Sequence, residues 1–152
     1  MFSMQRIIFL LMTGVLLTLS SCKGSKKAKV VEVPGVQFSN SETLTAVLDQ
    51  ALAEDKLVFL DFYTTWCLPC RLMDEEVFPN ERVGDFMNEN FISYKVDAEK
   101  GNGVNLAFVY EVNAYPTLLF LDAKGNVLEK KIGAAFHEEL MDLGRRALSG
   151  VN

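Results

Sequence analysis

The sequence predicts one α/β domain over residues 36–152, in which a mixed β-sheet is covered by helices on both faces. Three observations predict this fold class. Apolar runs of strand length alternate with segments in which apolar residues recur at helical spacing. The last two predicted strands are too close together for a crossover, so they should pair antiparallel. Finally, the chain contains no repeat and no sign of a second domain.

The domain begins with a predicted amphipathic helix followed by a buried strand. Ser39, with Glu42 three residues later, has the form of a capping box, and apolar residues follow at helical spacing over 44–52. The next run, 57–63, is apolar except for Asp61 and has the length and bulk of a buried strand.

The middle of the domain is predicted to alternate between helices and one further strand. A helix over 67–78 follows the first strand, because Pro69 is tolerated in a first helical turn and Pro79 ends the helix. After it the sequence predicts a helix over 81–90, a strand over 91–96 and a helix over 104–110.

The end of the domain is predicted to be a hairpin and a helix. Two strands, 117–121 and 127–132, flank the turn-rich segment 122–126. That segment is too short for a crossover connection, so the two strands should form an antiparallel hairpin. The last helix is predicted over 137–148.

The most informative motif is a pair of cysteines, Cys67 and Cys70, directly after the predicted strand. A strand that delivers Cys67 to the first turn of a helix points backbone N–H groups and the positive end of the helix dipole at its sulfur, which favours the thiolate. The thiolate is the attacking species in thiol–disulfide exchange. Cys70 lies one turn away, within reach to resolve a mixed disulfide. The pair is therefore a candidate redox centre.

Two other interpretations of the cysteine pair stay open at this stage. The spacing is also half of a zinc site, but the chain offers only Cys22 and His137 as further ligands of these types, both far away in sequence. A structural disulfide is the second alternative, although it would close a very short loop and constrain the unfolded chain little. We expect no metal here.

Residues 1–21 have the architecture of a signal peptide. Arg6 precedes an apolar stretch, and small residues precede Cys22. The run 19–22 resembles the lipobox of bacterial lipoproteins, which implies cleavage before Cys22 and lipidation of that cysteine. The alternatives are an ordinary secretory signal and an uncleaved membrane anchor, although the apolar region is short for a spanning helix. Each of these interpretations exports the domain.

The segment 22–35 is basic and poorly hydrophobic, so we interpret it as the lipidated cysteine and a flexible tether beside anionic headgroups. Cleavage before Cys22 would leave 131 of the 152 residues, which is the size of one domain. From Pro34 onward the chain has 10 Lys and Arg against 19 Asp and Glu, so it offers no basic surface for nucleic acid. We expect no nucleic-acid partner.

The motifs resemble those of the thioredoxin superfamily in order and spacing. They are the run 61–71 with both cysteines, the later run Tyr-Pro-Thr at 115–117, and the glycines Gly125 and Gly133. Within that superfamily, the acidic and bulky run 74–83 resembles the C-terminal domain of the transmembrane reductase DsbD and related exported proteins more than cytosolic thioredoxin. The resemblance implies a thioredoxin fold.

The resemblance also implies a role for each residue of the centre. Cys67 is the nucleophile, Cys70 resolves the mixed disulfide, and Asp61 is a buried carboxylate beneath the pair. An ionised carboxylate is costly in an apolar strand, so the pKa of Asp61 should rise toward a range useful for moving the proton of the Cys70 thiol. An aspartate turned to solvent is the alternative.

A substrate-binding surface is implied as well. The resemblance implies a cis peptide bond between Tyr115 and Pro116 that faces the disulfide. The backbone beside such a bond can accept an extended substrate segment as an added strand. Trp66 is expected to be a contact platform at the rim, with packing under the loop as the alternative. Leu68 and Pro69 complete this surface.

Two positions depart from cytosolic thioredoxin. Tyr63 stands where a tryptophan is usual, and Ser93 falls where the buried lysine partner of the aspartate would lie if Asp97 is aligned. Lys95 has the same strand parity as Ser93 and fits sterically, but we expect it to be a surface lysine. His137 is expected to be a surface or capping residue.

The sequence therefore predicts an exported, lipid-anchored thiol–disulfide oxidoreductase that reduces disulfides in exported proteins. The dipeptide 68–69 contains a proline, as in reducing members of the superfamily, and lacks the histidine of many oxidising members. No flavin or nicotinamide signature is visible, so we expect no cofactor and electrons from a membrane reductase. We expect a monomer on the periplasmic side of a bacterial cell envelope.

Two alternatives to this function stay open. An oxidase or isomerase would use the same dithiol, because the sequence does not fix whether the dithiol or the disulfide is favoured. A binding module would hold a partner in the groove beside Pro116, with a merely structural disulfide. Loss of function on changing Cys67 would exclude the binding module.

Overall fold

The structure is a computed structural model that describes residues 34–150. The predicted signal peptide 1–21, the lipidated Cys22 and nearly all of the predicted tether 22–35 lie outside the described residues. None of the helices within 34–150 combines the length and the apolar character that crossing a membrane would require. The described part of the chain forms a four-stranded sheet with helices on both of its faces.

The sheet is mixed, as the sequence predicts. Its strands are β1 (Leu57–Tyr63), β2 (Phe91–Asp97), β3 (Thr117–Leu121) and β4 (Val127–Ile132), in the spatial order β2-β1-β3-β4. β1 pairs parallel with β2 and antiparallel with β3, while β3 and β4 form the predicted antiparallel hairpin with an irregularity between Phe120 and Leu121. β1 is therefore a central strand, which explains its nearly continuous apolar run.

Five helices cover the two faces of the sheet within the described residues. They are α1 (Leu44–Glu54), α2 (Leu68–Leu72), α3 (Glu81–Asn90), α4 (Gly103–Val109) and α5 (His137–Ser149). Successive residues of β1 alternate between the faces. Phe59 packs with apolar residues of α3 and α5, and Leu60 packs with those of α1 and α4. Both side chains are completely buried.

The first helix begins later than the proposed capping box predicts. Thr43 is its N-cap, with its side chain accepting a hydrogen bond of 3.2 Å from the backbone N–H of Ala46. Ser39 does not cap the helix, because its backbone N–H donates to the carbonyl of Ser93 and its hydroxyl binds Ser41. The capping-box interpretation of Ser39 and Glu42 is therefore wrong.

The predicted helix over 67–78 is interrupted. Its α-helical part, α2, is followed by a π-helical turn over Met73–Val77, in which the N–H of Phe78 donates to the carbonyl of Met73. The wider turn buries Met73 and Val77 completely while Asp74 remains exposed. Such turns are frequent at functional sites, and this one directly follows the cysteine pair.

Residues 34–39, which we call the N-terminal arm, are attached to the folded core. The N–H of Val36 donates to the carbonyl of Phe78 at 2.7 Å, and Phe38 forms a β-bridge with Ser93 of β2. The arm also touches α3 closely, since a Cβ added at Gly84 would lie 2.4 Å from the backbone of Gly35. The arm is thus part of the packed domain.

Candidate active site

The cysteine pair lies at the end of β1, where the strand passes into α2. Cys67 and Cys70 form a disulfide with a Cα–Cα distance of 5.3 Å. Both residues are buried, with exposed fractions of 3% and 2%. The loop before them is held by a hydrogen bond of 3.2 Å from the N–H of Cys67 to the carbonyl of Thr64.

The first sulfur occupies the N-cap position of α2. Its Sγ accepts a hydrogen bond of 3.2 Å from the backbone N–H of Cys70. Pro69 fits in this first turn, because a helix needs no N–H donor there. A backbone donor and the positive end of the helix therefore both point at the Cys67 sulfur, which is the environment that stabilises a thiolate.

Asp61 is buried in β1, with an exposed fraction of 1%, so the alternative in which it turns to solvent is wrong. Burial is the main reason that the pKa of Asp61 is raised to about 6. The positive charge of Lys95 lowers this pKa, and the negative charge of Asp74 raises it. Within 34–150 neither carboxylate oxygen has a hydrogen-bond partner of good geometry. Its charge is balanced by an ion pair.

The partner in that ion pair is Lys95, for which the sequence predicted a surface position. Its Nζ lies 3.3 Å from Oδ2 of Asp61 and also pairs with Asp74. The prediction of a surface lysine is wrong because of strand register. Parallel pairing of β1 and β2 sets Asp61 directly beside Lys95, whereas Ser93 pairs with Phe59. The Lys95 side chain is 24% exposed and not a free surface lysine.

Three aromatic rings surround the Lys95 ammonium. Its Nζ lies 5.0 to 5.3 Å from the ring centroids of Phe38, Tyr63 and Phe78. Cations over ring faces are held by the quadrupole of the ring. Phe38 belongs to the N-terminal arm, so the arm forms one wall of the ionic part of the site.

Trp66 stands at the rim of the site and is not packed under the loop. Its side chain is 66% exposed, and its indole N–H donates a hydrogen bond of 3.0 Å to Oε2 of Glu99. The ring of Tyr115 meets it edge to face, with centroids 6.0 Å apart. Leu68 is also exposed, at 56%, so the disulfide has an apolar border.

The Tyr115–Pro116 peptide bond is cis, as the resemblance implies. Pro116 accepts a hydrogen bond of 2.8 Å from the N–H of Gly133, which ties the loop before β3 to the end of β4. Thr117 secures the same loop, since its hydroxyl donates to the carbonyl of Ala114 at 2.8 Å. Through the ring of Tyr115 this loop contacts Trp66, the residue that precedes Cys67.

The comparisons with known proteins identify the family of this arrangement. A family model described as a thioredoxin-like domain matches residues 44–147. The chain belongs to the thioredoxin-like family. A curated relative, the thioredoxin of Mycoplasmoides gallisepticum, is 34% identical over 104 residues, which cover 66% of this chain and 94% of that protein.

Two solved structures extend the likeness of this thioredoxin-like chain. A candidate disulphide-isomerase of Bacteroides thetaiotaomicron is similar with a TM-score of 0.67 and 38% identity, covering 77% of this chain and 96% of that one. The oxidised C-terminal domain of DsbD from Neisseria meningitidis is similar with a TM-score of 0.60 and 24% identity. The match covers 74% of this chain and 99% of that domain. The second likeness shows a shared fold.

Family membership together with the Cys67–Cys70 disulfide supports thiol–disulfide redox activity for this thioredoxin-like protein. Within residues 34–150 no cluster of three or more His, Cys, Asp or Glu side chains has an arrangement that fits a metal ion. His137 is half-buried, and its Nε2 lies 2.9 Å from the carbonyl oxygen of Glu76, away from the disulfide in sequence and at the start of α5.

Sequence reasoning missed three residues of the thioredoxin-like site. Lys95 and Asp74 form its ionic part with Asp61, and Glu99 holds Trp66. Lys95 would have been found by aligning β1 and β2 in parallel register, but nothing local in the sequence sets that register. Asp74 and Glu99 lie in an acidic chain in which most carboxylates are solvated, so only their contacts distinguish them.

Proposed function

We propose that this protein is an exported, lipid-anchored thiol–disulfide oxidoreductase that reduces disulfides in exported proteins. One observation carries the chemistry. The Cys67 sulfur occupies the N-cap of a helix and accepts the N–H of Cys70 at 3.2 Å, so reduction would leave a stabilised thiolate at this position.

The reaction consists of two exchanges. The Cys67 thiolate attacks one sulfur of a substrate disulfide, forms a mixed disulfide, and releases the other substrate sulfur as a thiolate that takes up a proton. Cys70 then loses its proton to Asp61 and attacks the Cys67 sulfur. The second substrate sulfur leaves and is protonated. The substrate has gained two electrons and two protons, and the Cys67–Cys70 bond of the structure has formed.

The substrate is proposed to dock on the apolar border of the disulfide. Trp66 and Leu68 are exposed there, and Pro69 lies in the first turn of α2. Tyr115 packs against Trp66, and the backbone beside Pro116 would take an extended substrate segment as an added strand. We therefore propose a disulfide in an extended protein segment as the substrate.

The reducing direction is supported by the dipeptide between the cysteines. Leu68 and Pro69 stand there, and the dipeptide lacks the histidine that stabilises the thiolate in many oxidising members of the superfamily. Electrons would come from another dithiol protein, which we propose to be a membrane reductase of the same compartment. The lipidated tether would keep the domain near such a donor and so raise the effective concentration of the donor at the domain.

Export and anchoring are proposed from the sequence of the N-terminal segment. Cleavage before Cys22 and lipidation of that cysteine would hold the domain on the periplasmic side of a bacterial envelope membrane. Intact-mass measurement of the mature protein should show an acylated Cys22 at the N-terminus, and Cys22→Ser should move the protein out of the membrane fraction. A full-length protein of unmodified mass would contradict the proposal.

The reduction potential of the Cys67–Cys70 pair tests the direction. We would equilibrate the purified protein against glutathione and dithiothreitol buffers and measure the fraction reduced. A potential at or below roughly −220 mV supports a reductant, whereas one near −120 mV identifies an oxidant. A pair that resists reduction altogether would point to a structural disulfide.

Trapping tests the order of the two exchanges. Cys70→Ser should accumulate mixed disulfides between Cys67 and exported proteins, because the resolving thiol is gone. Non-reducing electrophoresis and mass spectrometry would identify the trapped partners. The matched variant Cys67→Ser should trap none, and equal trapping by both variants would argue against Cys67 as the nucleophile.

A disulfide isomerase is the second candidate function. The likeness to the candidate disulphide-isomerase of Bacteroides thetaiotaomicron, at 38% identity, favours it. Recovery of activity from ribonuclease with scrambled disulfides measures isomerisation, while turbidity of insulin measures reduction. Rapid recovery of ribonuclease activity, together with a Cys67–Cys70 reduction potential well above roughly −220 mV, would identify the protein as an isomerase and not a reductase.

A further inference from the structure

Trp66 is the only tryptophan of the chain, and it directly precedes the nucleophile Cys67. Its exposed indole is held from two sides, by the hydrogen bond to Glu99 and by the edge-to-face contact with Tyr115. An exposed aromatic side chain with no such contacts would sample several rotamers. In this structure Trp66 is fixed over the border of the disulfide.

The loop that carries Glu99 is held by three polar contacts. The N–H of Ala98 donates to the carbonyl of Tyr63 at 2.9 Å, which fastens the end of β2 to the end of β1. Asp97 closes the turn, because its Oδ1 accepts the N–H of Glu99 at 3.1 Å and its Oδ2 pairs with Lys100 at 2.9 Å. The Glu99 carboxylate is therefore presented to Trp66 from a fixed backbone.

We propose that Glu99 is a positioning residue for the docking of protein substrates. It holds the Trp66 indole in place before the substrate arrives. This inference rests on the proposed function, since it concerns the same docking surface. Ordering a large side chain on binding costs affinity, and a side chain that is already ordered avoids that cost. Glu99 thus acts through Trp66 and does not touch the reacting sulfurs.

Protein and small substrates should depend on Glu99 differently. A protein disulfide must lie across Trp66 to place its sulfur over Cys67, whereas a small disulfide reaches Cys67 without covering the indole. Removing Glu99 should therefore raise KM for a protein substrate and leave kcat unchanged, because the cysteine chemistry is untouched. The expected increase in KM is about three- to tenfold, the cost of ordering one large side chain.

The test uses the full chain and two variants at position 99. Glu99→Leu removes the acceptor, and Glu99→Gln keeps a side-chain oxygen for the indole N–H. We would measure fluorescence anisotropy of the single tryptophan, then KM and kcat with insulin and with hydroxyethyl disulfide. Glu99→Leu should lower the anisotropy and raise KM for insulin alone, while Glu99→Gln should stay close to the wild type.

Glu89→Leu is the matched control, since Glu89 is an exposed glutamate on α3. An unchanged anisotropy in Glu99→Leu would overturn the proposal, as would a lowered anisotropy with an unchanged KM for insulin. If the wild type fails to reduce insulin, the proposed function fails. The anisotropy of the variants still decides whether Glu99 holds Trp66.

Discussion

Asp61 is the residue whose chemistry depends most on burial. Its pKa is raised to about 6, so the folded protein binds a proton more tightly than the unfolded chain does. The stability gained from this proton is complete below the ordinary aspartate pKa, about 4, and is lost as the pH rises through about 6. At neutral pH the folded protein carries the cost of a buried charge.

We therefore expect Asp61→Asn to be more stabilising at neutral pH than in acid. The difference in free energy of unfolding between the variant and the wild type should grow by about 2 to 3 kcal/mol from pH 4 to pH 7.5. Urea denaturation across this range measures it. Asp49→Asn, at an exposed position of α1, is the control, and equal pH slopes for all three proteins would contradict the prediction.

The same substitution should slow the resolving exchange. If Asp61 accepts the proton of the Cys70 thiol, Asp61→Asn should slow release from a preformed mixed disulfide on Cys67 by about 100-fold at pH 7. The initial attack by Cys67 should change much less. Rapid mixing with a fluorescent disulfide peptide separates the two rates, and equal slowing of both would assign Asp61 a general structural role.

Lys95 shows what the sequence can and cannot predict at the residue scale. The cysteines, Asp61 and the cis proline were predictable, because each belongs to a local run with its own chemistry or resemblance. The position of Lys95 was not, because it depends on the register between β1 and β2 and on the enclosing rings. Register is set by long-range pairing, which a single sequence does not reveal.

At the scale of elements, β1 to β4 and α3 to α5 match their predicted segments to within one residue at each end. Hydrophobic period and turn residues are strong signals for such segments. The misses were the start of α1 and the π-helical turn. Both depend on tertiary contacts, since Ser39 is engaged by β2 and the turn at 73–77 forms so that two of its side chains reach the core.

The contact between the N-terminal arm and α3 gives a prediction at this scale. Gly84→Ala would place a Cβ 2.4 Å from the backbone of Gly35, which cannot yield as a flexible side chain would. We expect a loss of about 1 to 3 kcal/mol in the free energy of unfolding. Urea denaturation measures it. Gly150→Ala, where the nearest contact is an ordinary 3.5 Å, should change stability little.

At the scale of the whole molecule, the disulfide adds little to a core that is already extensive. The two cysteines are separated by three positions, and closing so short a loop is worth at most about 2 kcal/mol in the entropy model. Two apolar clusters on either side of the sheet hold the fold without it.

We therefore expect the reduced protein to remain folded and to melt in one cooperative transition. Thermal unfolding followed by circular dichroism, with and without dithiothreitol, measures this transition. The double variant Cys67→Ser/Cys70→Ser, which cannot form the disulfide, serves as a permanent mimic of the reduced state. A domain that unfolds on reduction would support the structural interpretation of the disulfide, because a redox pair must survive both of its states.

Both outer strands of the sheet are protected against pairing with other chains. The N-terminal arm bridges β2 through Phe38, and β4 carries Glu129, Lys130 and Lys131, all engaged in polar contacts with neighbouring elements. Free strand edges are templates for aggregation, and covering or charging them prevents it. We therefore expect the arm that encloses Lys95 also to hinder crowded copies of this protein from joining edge to edge.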